Sequence, residues 1–283
     1  MSLSLSVIIP AFNEAARIGK TLPVIFDYLN SQAYESEVIV VDDGSSDETV
    51  AIAEKHLGHT GRAKASIIRQ PRNHGKGYAV RTGLLSARSP IALFSDADLS
   101  TPITEIPKLL KAIEQDDCDL AFGSRALDRN LIGVHQPWRR EQGGKFFNLV
   151  VRLATGLPFW DTQCGFKAFR LSTCRPIIEA ATIERFGFDV EYLYVAHLAG
   201  LRLKEVAVRW DHNDGSKLSV VHDSLRAFNE IRLIRQQVQR GVYAQAIELA
   251  RAAMLERHEA SAASPEAVET DGSPKLFSEL ADR

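Results

Sequence analysis

Asp96 and Asp98 stand one residue apart at the end of the run Ile91-Ala92-Leu93-Phe94-Ser95-Asp96-Ala97-Asp98. Two carboxylates that close repel each other unless a cation lies between or beside them. Their hard oxygens suit Mg²⁺ or Mn²⁺, and Mg²⁺ is commonly held by one or two carboxylates together with substrate phosphates. The apolar residues ahead of them have the length of a buried parallel strand. In an open α/β sheet, ligands bind beyond the carboxyl ends of the strands. The spacing therefore predicts a diphosphate held through a divalent metal, with Asp98 the first ligand and Asp96 sharing the metal or facing a ribose. An Asp-x-Asp also arises by chance in solvated loops, so the reading depends on its surroundings.

Two other apolar runs end in polar residues in the same way. Leu5-Ser6-Val7-Ile8-Ile9 leads into Pro10-Ala11-Phe12-Asn13-Glu14, and Val38-Ile39-Val40-Val41 into Asp42-Asp43-Gly44-Ser45-Ser46-Asp47. Asp43 is as well placed to cap the Gly44-Ser45 turn as to meet a ligand, because Asp is a favoured turn residue. Asn13 and Glu14 are equally candidates for helix caps. Arg72-Asn73-His74-Gly75-Lys76-Gly77 follows a further strand-like run and opens a helix. Its glycines admit close backbone approach and a helix N-terminus favours anions, which makes Gly75 and Lys76 candidates for phosphate or ribose contact. His74 reads as an exposed loop residue.

The succession Val7-Ile8-Ile9-Pro10-Ala11-Phe12-Asn13-Glu14, Val40-Val41-Asp42-Asp43-Gly44-Ser45-Ser46-Asp47 and Ser95-Asp96-Ala97-Asp98 resembles the inverting glycosyltransferase family 2 with the GT-A fold. Gly123-Ser124-Arg125 and Asp161-Thr162-Gln163-Cys164-Gly165-Phe166-Lys167 resemble its dolichyl-phosphate glucosyltransferase and dolichyl-phosphate mannosyltransferase branch, and the second run leans to the glucosyl side. The resemblance covers residues 5–240. It implies a Rossmann-like, mostly parallel doubly wound sheet in a single domain with insertions on the acceptor side. The implied reaction moves a hexose, glucose in preference, from UDP-glucose to a polyprenyl or dolichyl phosphate, with Mg²⁺ or Mn²⁺.

By the same resemblance, Pro10, Phe12 and Glu14 form the nucleotide pocket, and Asp42 accepts a base N–H such as N3–H of uracil, a task for an acceptor-only side chain. Lys217, in Gly215-Ser216-Lys217-Leu218-Ser219, resembles a loop that closes over the diphosphate, and His212 beside it could join the metal shell. Arg125 and the pair Arg139-Arg140 resemble positions that hold the acceptor phosphate, which a planar guanidinium meets with two bonds. Asp161, Gln163 and Lys167 fall on the acceptor or sugar side. Asp189 and Glu191 are candidate sugar contacts or bases. Ser100 departs from the mannosyltransferase pattern, which often carries Gln there. A phosphate acceptor has a second pKa near ~6 and needs no base. An alcohol acceptor would need one, from Asp161 or Asp189.

The 283 residues are 45% hydrophobic and 25% charged, ordinary globular composition, and a net charge of −2 excludes no partner. Residues 125–175, however, hold nine basic side chains against three acidic ones, a candidate surface for an anion or an anionic membrane. Within it, Lys145-Phe146-Phe147-Asn148-Leu149-Val150-Val151-Arg152-Leu153 reads as a helix with a broad apolar face, either lying at a bilayer interface or packed on the core. No nucleic-acid partner is expected. The three cysteines Cys118, Cys164 and Cys174 have no paired spacing, and the N-terminus lacks a charged leader region. No stretch reaches the ~20 apolar residues of a spanning helix. The expectation is a cytoplasmic protein, soluble or at the cytoplasmic face of a membrane.

Strand-like and helix-like segments alternate through residue 122, which predicts a parallel, doubly wound sheet. The expected helices run from Ala15 to Asn30, Asp47 to Leu57, Gly77 to Ala87 and Thr104 to Gln115, with further strands at Ala65 to Arg69 and Asp119 to Phe122. Residues 1–240 are read as one transferase domain, with a donor half at 1–122 and an acceptor half at 123–240. A helix at 241–258 and a disordered tail at 259–283 follow. The alternatives are a GDP-mannose-dependent polyprenyl-phosphate transferase, a transferase with a soluble acceptor, a nucleotide-sugar pyrophosphorylase and a non-catalytic nucleotide-sugar-binding module. A pyrophosphorylase would carry a Gly-rich basic loop where Pro10 to Glu14 stand, and a bare binding module has no need of both Asp96 and Asp98.

Overall fold

Leu5, Val7 and Ile9 alternate with Ser6 and Ile8, so one strand sends two sets of side chains to opposite faces. The computed structural model of the chain, which describes residues 3–58, 61–134, 138–212 and 220–263, uses both faces. Strand β1 (Ser4–Ala11) is followed by α1 (Ala15–Asn30), β2 (Glu35–Asp42), α2 (Thr49–Leu57), β3 (Lys64–Arg69), α3 (Lys76–Ser86), β4 (Ile91–Ser95), α4 (Ile106–Glu114) and β5 (Leu120–Ser124). Then come β6 (Ile132–Val134), α5 (Trp138–Thr155), β7 (Phe166–Arg170), α6 (Leu171–Ala180), α7 (Phe188–Leu198), β8 (Leu203–Ala207), β9 (Trp210–Asp211), α8 (Val220–Gln239) and α9 (Ala244–Ala263).

The main sheet has the order β3-β2-β1-β4-β7-β5-β8. Its pairs are parallel except where β7 meets β4 and β5, both antiparallel. Leu5, Val7, Ile9, Val38, Val40 and Leu93 pack with α1 and α4 on one face. Ile8, Ile39, Val41, Phe94 and Phe122 pack with α3, α6 and α7 on the other. In α4 the buried face is built from Leu109, Leu110 and Ile113, each contributing about 1.5–3 kcal/mol by burial.

Parallel strands bring the ends of β1, β2, β4 and β5 to one edge, where their polar residues gather. Because β7 runs the other way, its entry lies at that same edge and delivers the loop 161–165 there. Asp96 N donates to Gly165 O at 3.1 Å, joining the two segments. β6 and β9 form a separate parallel ribbon, and Asp211 N donates to Ser100 O at 2.8 Å, fastening that ribbon to the loop after Asp98.

The expected helices recur with small shifts of boundary. The one read as starting at Thr104 instead begins with a 3-10 turn, Ile103–Glu105, and the α-helix proper starts at Ile106 with Pro107 in its first turn. Strand β7 lies where no strand was expected. The C-terminal helix continues to Ala263 rather than ending at 258, so the segment read as a disordered tail starts as helix. Residues 264–283 and Lys217 lie outside the described residues.

Candidate active site

The first cleft is built from the ends of β1, β2 and β4 and the start of α3. It encloses about 420 Å³ and is lined by Pro10, Phe12 and Glu14, then Asp43, then Gly75 and Lys76, then Asp96 and Asp98. Its loops are braced against each other. Asn13 takes a left-handed backbone with φ 54°, which Asn tolerates better than most residues. There its N–H donates to Ser45 Oγ and its Oδ1 accepts from Ser46 N, both at 2.9 Å. Glu14 N donates to Thr49 Oγ1 at 2.7 Å, and the Glu14 carboxylate pairs with Arg17 at 3.0 Å.

Asp42 and Asp43 divide their tasks. Asp43 accepts from Asn73 Nδ2 at 2.9 Å, His74 N at 2.9 Å and Gly75 N at 2.7 Å. Burial still pushes its carboxyl above the usual range, against those bonds. It is Asp42 that caps the turn, accepting from Ser45 N at 3.2 Å, while its Oδ1 is buried with no hydrogen-bond partner among the described residues. The start of α3 is less open than its glycines implied. Gly77 N and Tyr78 N already donate to Arg185 O and Glu184 O at 3.1 and 3.0 Å. Gly75 is required by its φ of 123° and by Glu184 O, which would lie 2.5 Å from an added Cβ. What this helix start offers an anion is the Lys76 ammonium rather than a set of free N–H groups.

Lys76 Nζ lies 2.5 Å from Asp96 Oδ1. Burial works against the Lys76 charge, but Asp96, with Asp189 and Asp98, holds its pKa above the usual lysine value. A Cβ at Gly165 would collide with the Asp96 carboxylate, so that position must be bare. Asp98 Oδ1 accepts from Ser100 N at 2.9 Å and its Oδ2 lies 4.0 Å from Arg17 Nη1. Both carboxylates line one cleft and both supply hard oxygen, the donor type that Mg²⁺ or Mn²⁺ takes beside a diphosphate. The donor type fits such an ion with a diphosphate completing its shell, since no group of three or more acidic, histidine or cysteine side chains gathers among the described residues.

A second cleft, of about 360 Å³, takes in Asp161 and is lined by Arg125, Arg129, Lys145, Arg152, Trp160 and Trp210, among others. Arg125 is locked to Asp161. Its backbone N and Nε donate to Oδ2 at 3.0 and 2.6 Å, and Nη2 donates to Oδ1 at 2.8 Å. Burial alone would raise Asp161, but the Arg125 charge and hydrogen bonds hold it below the usual carboxylate range. Glu141 bridges Arg129 and Lys145 at 2.8 Å each, and the bond from Lys145 leads in holding it low as well. Arg125 lies 5.6 Å from the Trp210 ring centre and Arg152 lies 4.0 Å from that of Trp160, both within cation–π range.

A family model described as glycosyl transferase family 2 matches residues 6–174. The chain belongs to glycosyl transferase family 2. A dolichyl-phosphate beta-glucosyltransferase of Drosophila melanogaster is 41% identical over 229 residues, 77% of this chain and 70% of that protein. The protein of that name from Homo sapiens is 34% identical over 251 residues, 84% of this chain and 77% of its own length. A glucosyl-3-phosphoglycerate synthase from Mycobacterium tuberculosis, with phosphoglyceric acid bound, shares the fold at a TM-score of 0.61 and 17% identity, over 82% of this chain and 80% of that one. A complex of that synthase with Mn²⁺, UDP-glucose and phosphoglyceric acid shares it at 0.53 and 18%, over 86% and 80%.

In this family 2 glycosyltransferase, several residues sit elsewhere than the sequence reading put them. Lys167 is fully buried and lines neither cleft. Its ammonium donates to Cys164 O at 2.6 Å, pairs with Asp189 at 2.6 Å and lies between the Phe94 and Phe122 rings. It fixes the loop that ends at Cys164 rather than touching an acceptor. Asp189, the partner, is buried too, and burial raises its pKa against the pull of Lys167 and Lys76. Glu191 accepts from Thr182 N, Ile183 N and Tyr243 Oη at 2.8, 3.0 and 2.6 Å, a structural set. Gln163 lines neither cleft and donates its N–H to Asp161 at 3.3 Å. Arg139 and Arg140 fall in α5, their side chains outside the described residues. His74 is half-buried and stacked on Tyr78 at 4.3 Å.

Helix α5 packs on the core, as one of its two readings had it. Phe147 and Val151 are buried, while Phe146, Leu149 and Leu153 on another face are 61%, 49% and 78% exposed. Sequence reasoning missed Arg17, Arg185 and Phe186 in the first cleft and Trp160 and Trp210 in the second. Arg17 had a signal, lying one helical turn after Glu14, and Trp160 directly precedes Asp161. Among the described residues, no helix is long and apolar enough to cross a membrane.

Proposed function

We propose that this glycosyltransferase moves glucose from UDP-glucose to dolichyl phosphate, or to a polyprenyl phosphate with the same headgroup, with inversion at the anomeric carbon. The observation that carries the acceptor half is the state of the carboxylates. Asp161 and Glu141, which line the second cleft, are both ion-paired and held below the usual range. Carboxylates held low in this way are poor proton acceptors. Asp189, which burial holds above the usual range, lines neither cleft and is sealed against Lys167, so it is out of reach of an acceptor. A phosphate monoester is already largely ionised near pH 7 and brings its own nucleophilic oxygen. The four basic side chains of that cleft suit such an anion, and its two indoles and Leu149 suit an isoprenoid stem. The names of the relatives support the same acceptor.

On this reading Asp42 Oδ1 receives N3–H of uracil, Phe12 lies along the nucleoside, and Lys76 contacts the diphosphate. Pro10, Glu14, Asp43 and Gly75 shape the pocket around them, with Lys217 a further donor contact. Arg125, with Arg139 or Arg140 beside it, meets the acceptor phosphate, and Asp161 keeps the Arg125 fork in plane. Asp98 and Asp96 would hold Mg²⁺ or Mn²⁺, which offsets charge on the departing UDP. The acceptor oxygen attacks the anomeric carbon as its bond to UDP breaks. Gln163 and Lys167 act indirectly, through the loop they brace.

The exposed apolar row of α5, with Lys145 and Arg152 beside it, supports seating on an anionic bilayer where a polyprenyl chain resides. The three free, buried cysteines support a reducing, cytoplasmic setting. A donor and acceptor panel tests the reading. UDP-glucose or GDP-mannose is offered with dolichyl phosphate, dolichol or a soluble alcohol in the presence of Mg²⁺ or Mn²⁺. Turnover is expected with UDP-glucose and dolichyl phosphate. Transfer to the soluble alcohol with the lipid phosphate inert would contradict the acceptor, and preference for GDP-mannose would contradict the donor.

A further inference from the structure

The Lys76 ammonium lies 2.5 Å from Asp96 Oδ1, and Asp96 is one of the two carboxylates offered to a divalent ion. Mg²⁺ bonds oxygen at about 2.0–2.1 Å. It cannot do so at an oxygen already in contact with an ammonium without pressing two cations together. Arg17 stands in a looser form of the same relation to Asp98, with Nη1 at 4.0 Å from Oδ2. Both carboxylates therefore face a side-chain cation. Lys76 also lines the cleft, where a diphosphate would offer it new negative oxygens.

We infer that Lys76 is a placeholder cation, which occupies Asp96 until the diphosphate of the donor draws it away, so that metal and donor enter as a coupled pair. The inference rests on the reading of Asp96 and Asp98 as the metal carboxylates. Coupling of this kind is reciprocal: the factor by which UDP tightens the metal equals the factor by which the metal tightens UDP. Lys76 sets much of that factor, because it is a competitor for one ligand and a contact for the other.

Removing the ammonium then acts on the two ligands in opposite directions. Lys76→Met keeps the aliphatic stem and deletes the charge. Mn²⁺ alone should bind the variant at least about tenfold tighter, since a unit charge close to a dication has gone. UDP in saturating Mn²⁺ should bind about tenfold weaker. Lys76→Arg, which keeps the charge, should retain the coupling of the unaltered protein. The experiment titrates Mn²⁺ alone into the full chain and each variant, following the paramagnetic signal of free Mn²⁺, and repeats the titration with UDP. Neither acceptor nor turnover is involved. Thermal melts establish that the variants fold, and Lys76→Gln carries the same prediction if Lys76→Met does not. Mn²⁺ binding by the folded, charge-deleted variant that is equal to or weaker than that of the unaltered protein overturns the inference. If the unaltered protein binds no UDP with Mn²⁺ present, the donor reading fails, and the comparison with Mn²⁺ alone still decides the role of Lys76.

Discussion

Replacing Asp161 by Asn should cost stability and acceptor affinity together while sparing the nucleotide. The carboxylate takes three bonds from Arg125, at 3.0, 2.6 and 2.8 Å. Removing one partner of a buried pair costs roughly 3–5 kcal/mol. The Arg125 side chain is 29% exposed and regains water when released, and an amide oxygen can still accept one bond, so a loss of about 2–3 kcal/mol is expected. For a chain of this size that corresponds to a fall in Tm of roughly 3–5 °C. The guanidinium would no longer be held in plane, so the KM for dolichyl phosphate should rise at least about tenfold, while the Kd for UDP stays within about twofold. The pH dependence fixes the cause. Asp161 titrates below its unfolded value of about 3.9, so its stabilisation is present above that value and is lost as pH falls through the folded one. The stability gap between the unaltered protein and Asp161→Asn should therefore close in acid. Denaturant titrations from pH 7 to pH 3, with steady-state kinetics at pH 7, measure all of this. A gap as wide at pH 3 as at pH 7, or unchanged Tm and acceptor KM, would refute the reasoning.

Asp98→Ala should lower kcat by at least about 100-fold, the scale of a lost contact to developing charge, and EDTA should abolish turnover; metal-independent activity in either assay contradicts the metal site. Asp42→Ala should weaken UDP binding by about 1–3 kcal/mol in calorimetry, and Asp42→Asn by less, because a turned amide can still present an oxygen. Lys167→Met should destabilise the fold by about 3–5 kcal/mol by leaving Asp189 unpaired in the core, and adding Asp189→Leu should recover part of that loss in denaturant melts. Phe146→Ser with Leu153→Ser should reduce sedimentation with anionic vesicles but leave the melting temperature nearly unchanged, since both side chains are exposed.

The first cleft was legible because its residues sit at strand ends. β1, β2 and β4 are parallel and neighbouring, so polar residues that follow apolar runs must meet at one edge. What each residue does there was less legible, because partners come from other βα units. Nothing local told that Asp43 would hold the loop 73–75, or that Glu184 and Arg185 would cap α3. Strand β7 escaped notice because Lys167 interrupts its apolar pattern, and that lysine is tolerated through Asp189 in a later helix together with Cys164 O. The second cleft was read as a basic segment between 125 and 175, which is where it lies. Its shape depends on Trp210, contributed by a ribbon that pairs β6 with β9 across a long stretch of sequence.

The product itself gives the most direct test of the account. UDP-glucose is incubated with Mn²⁺, the enzyme and dolichyl phosphate, and the purified lipid is examined by proton and phosphorus NMR. Attack by an ionised phosphate oxygen on the α-linked donor predicts a β-glucosyl phosphodiester, with one UDP released for each glucose transferred. An α-linked product, glucose attached to a hydroxyl group, or free glucose released without lipid product would contradict it.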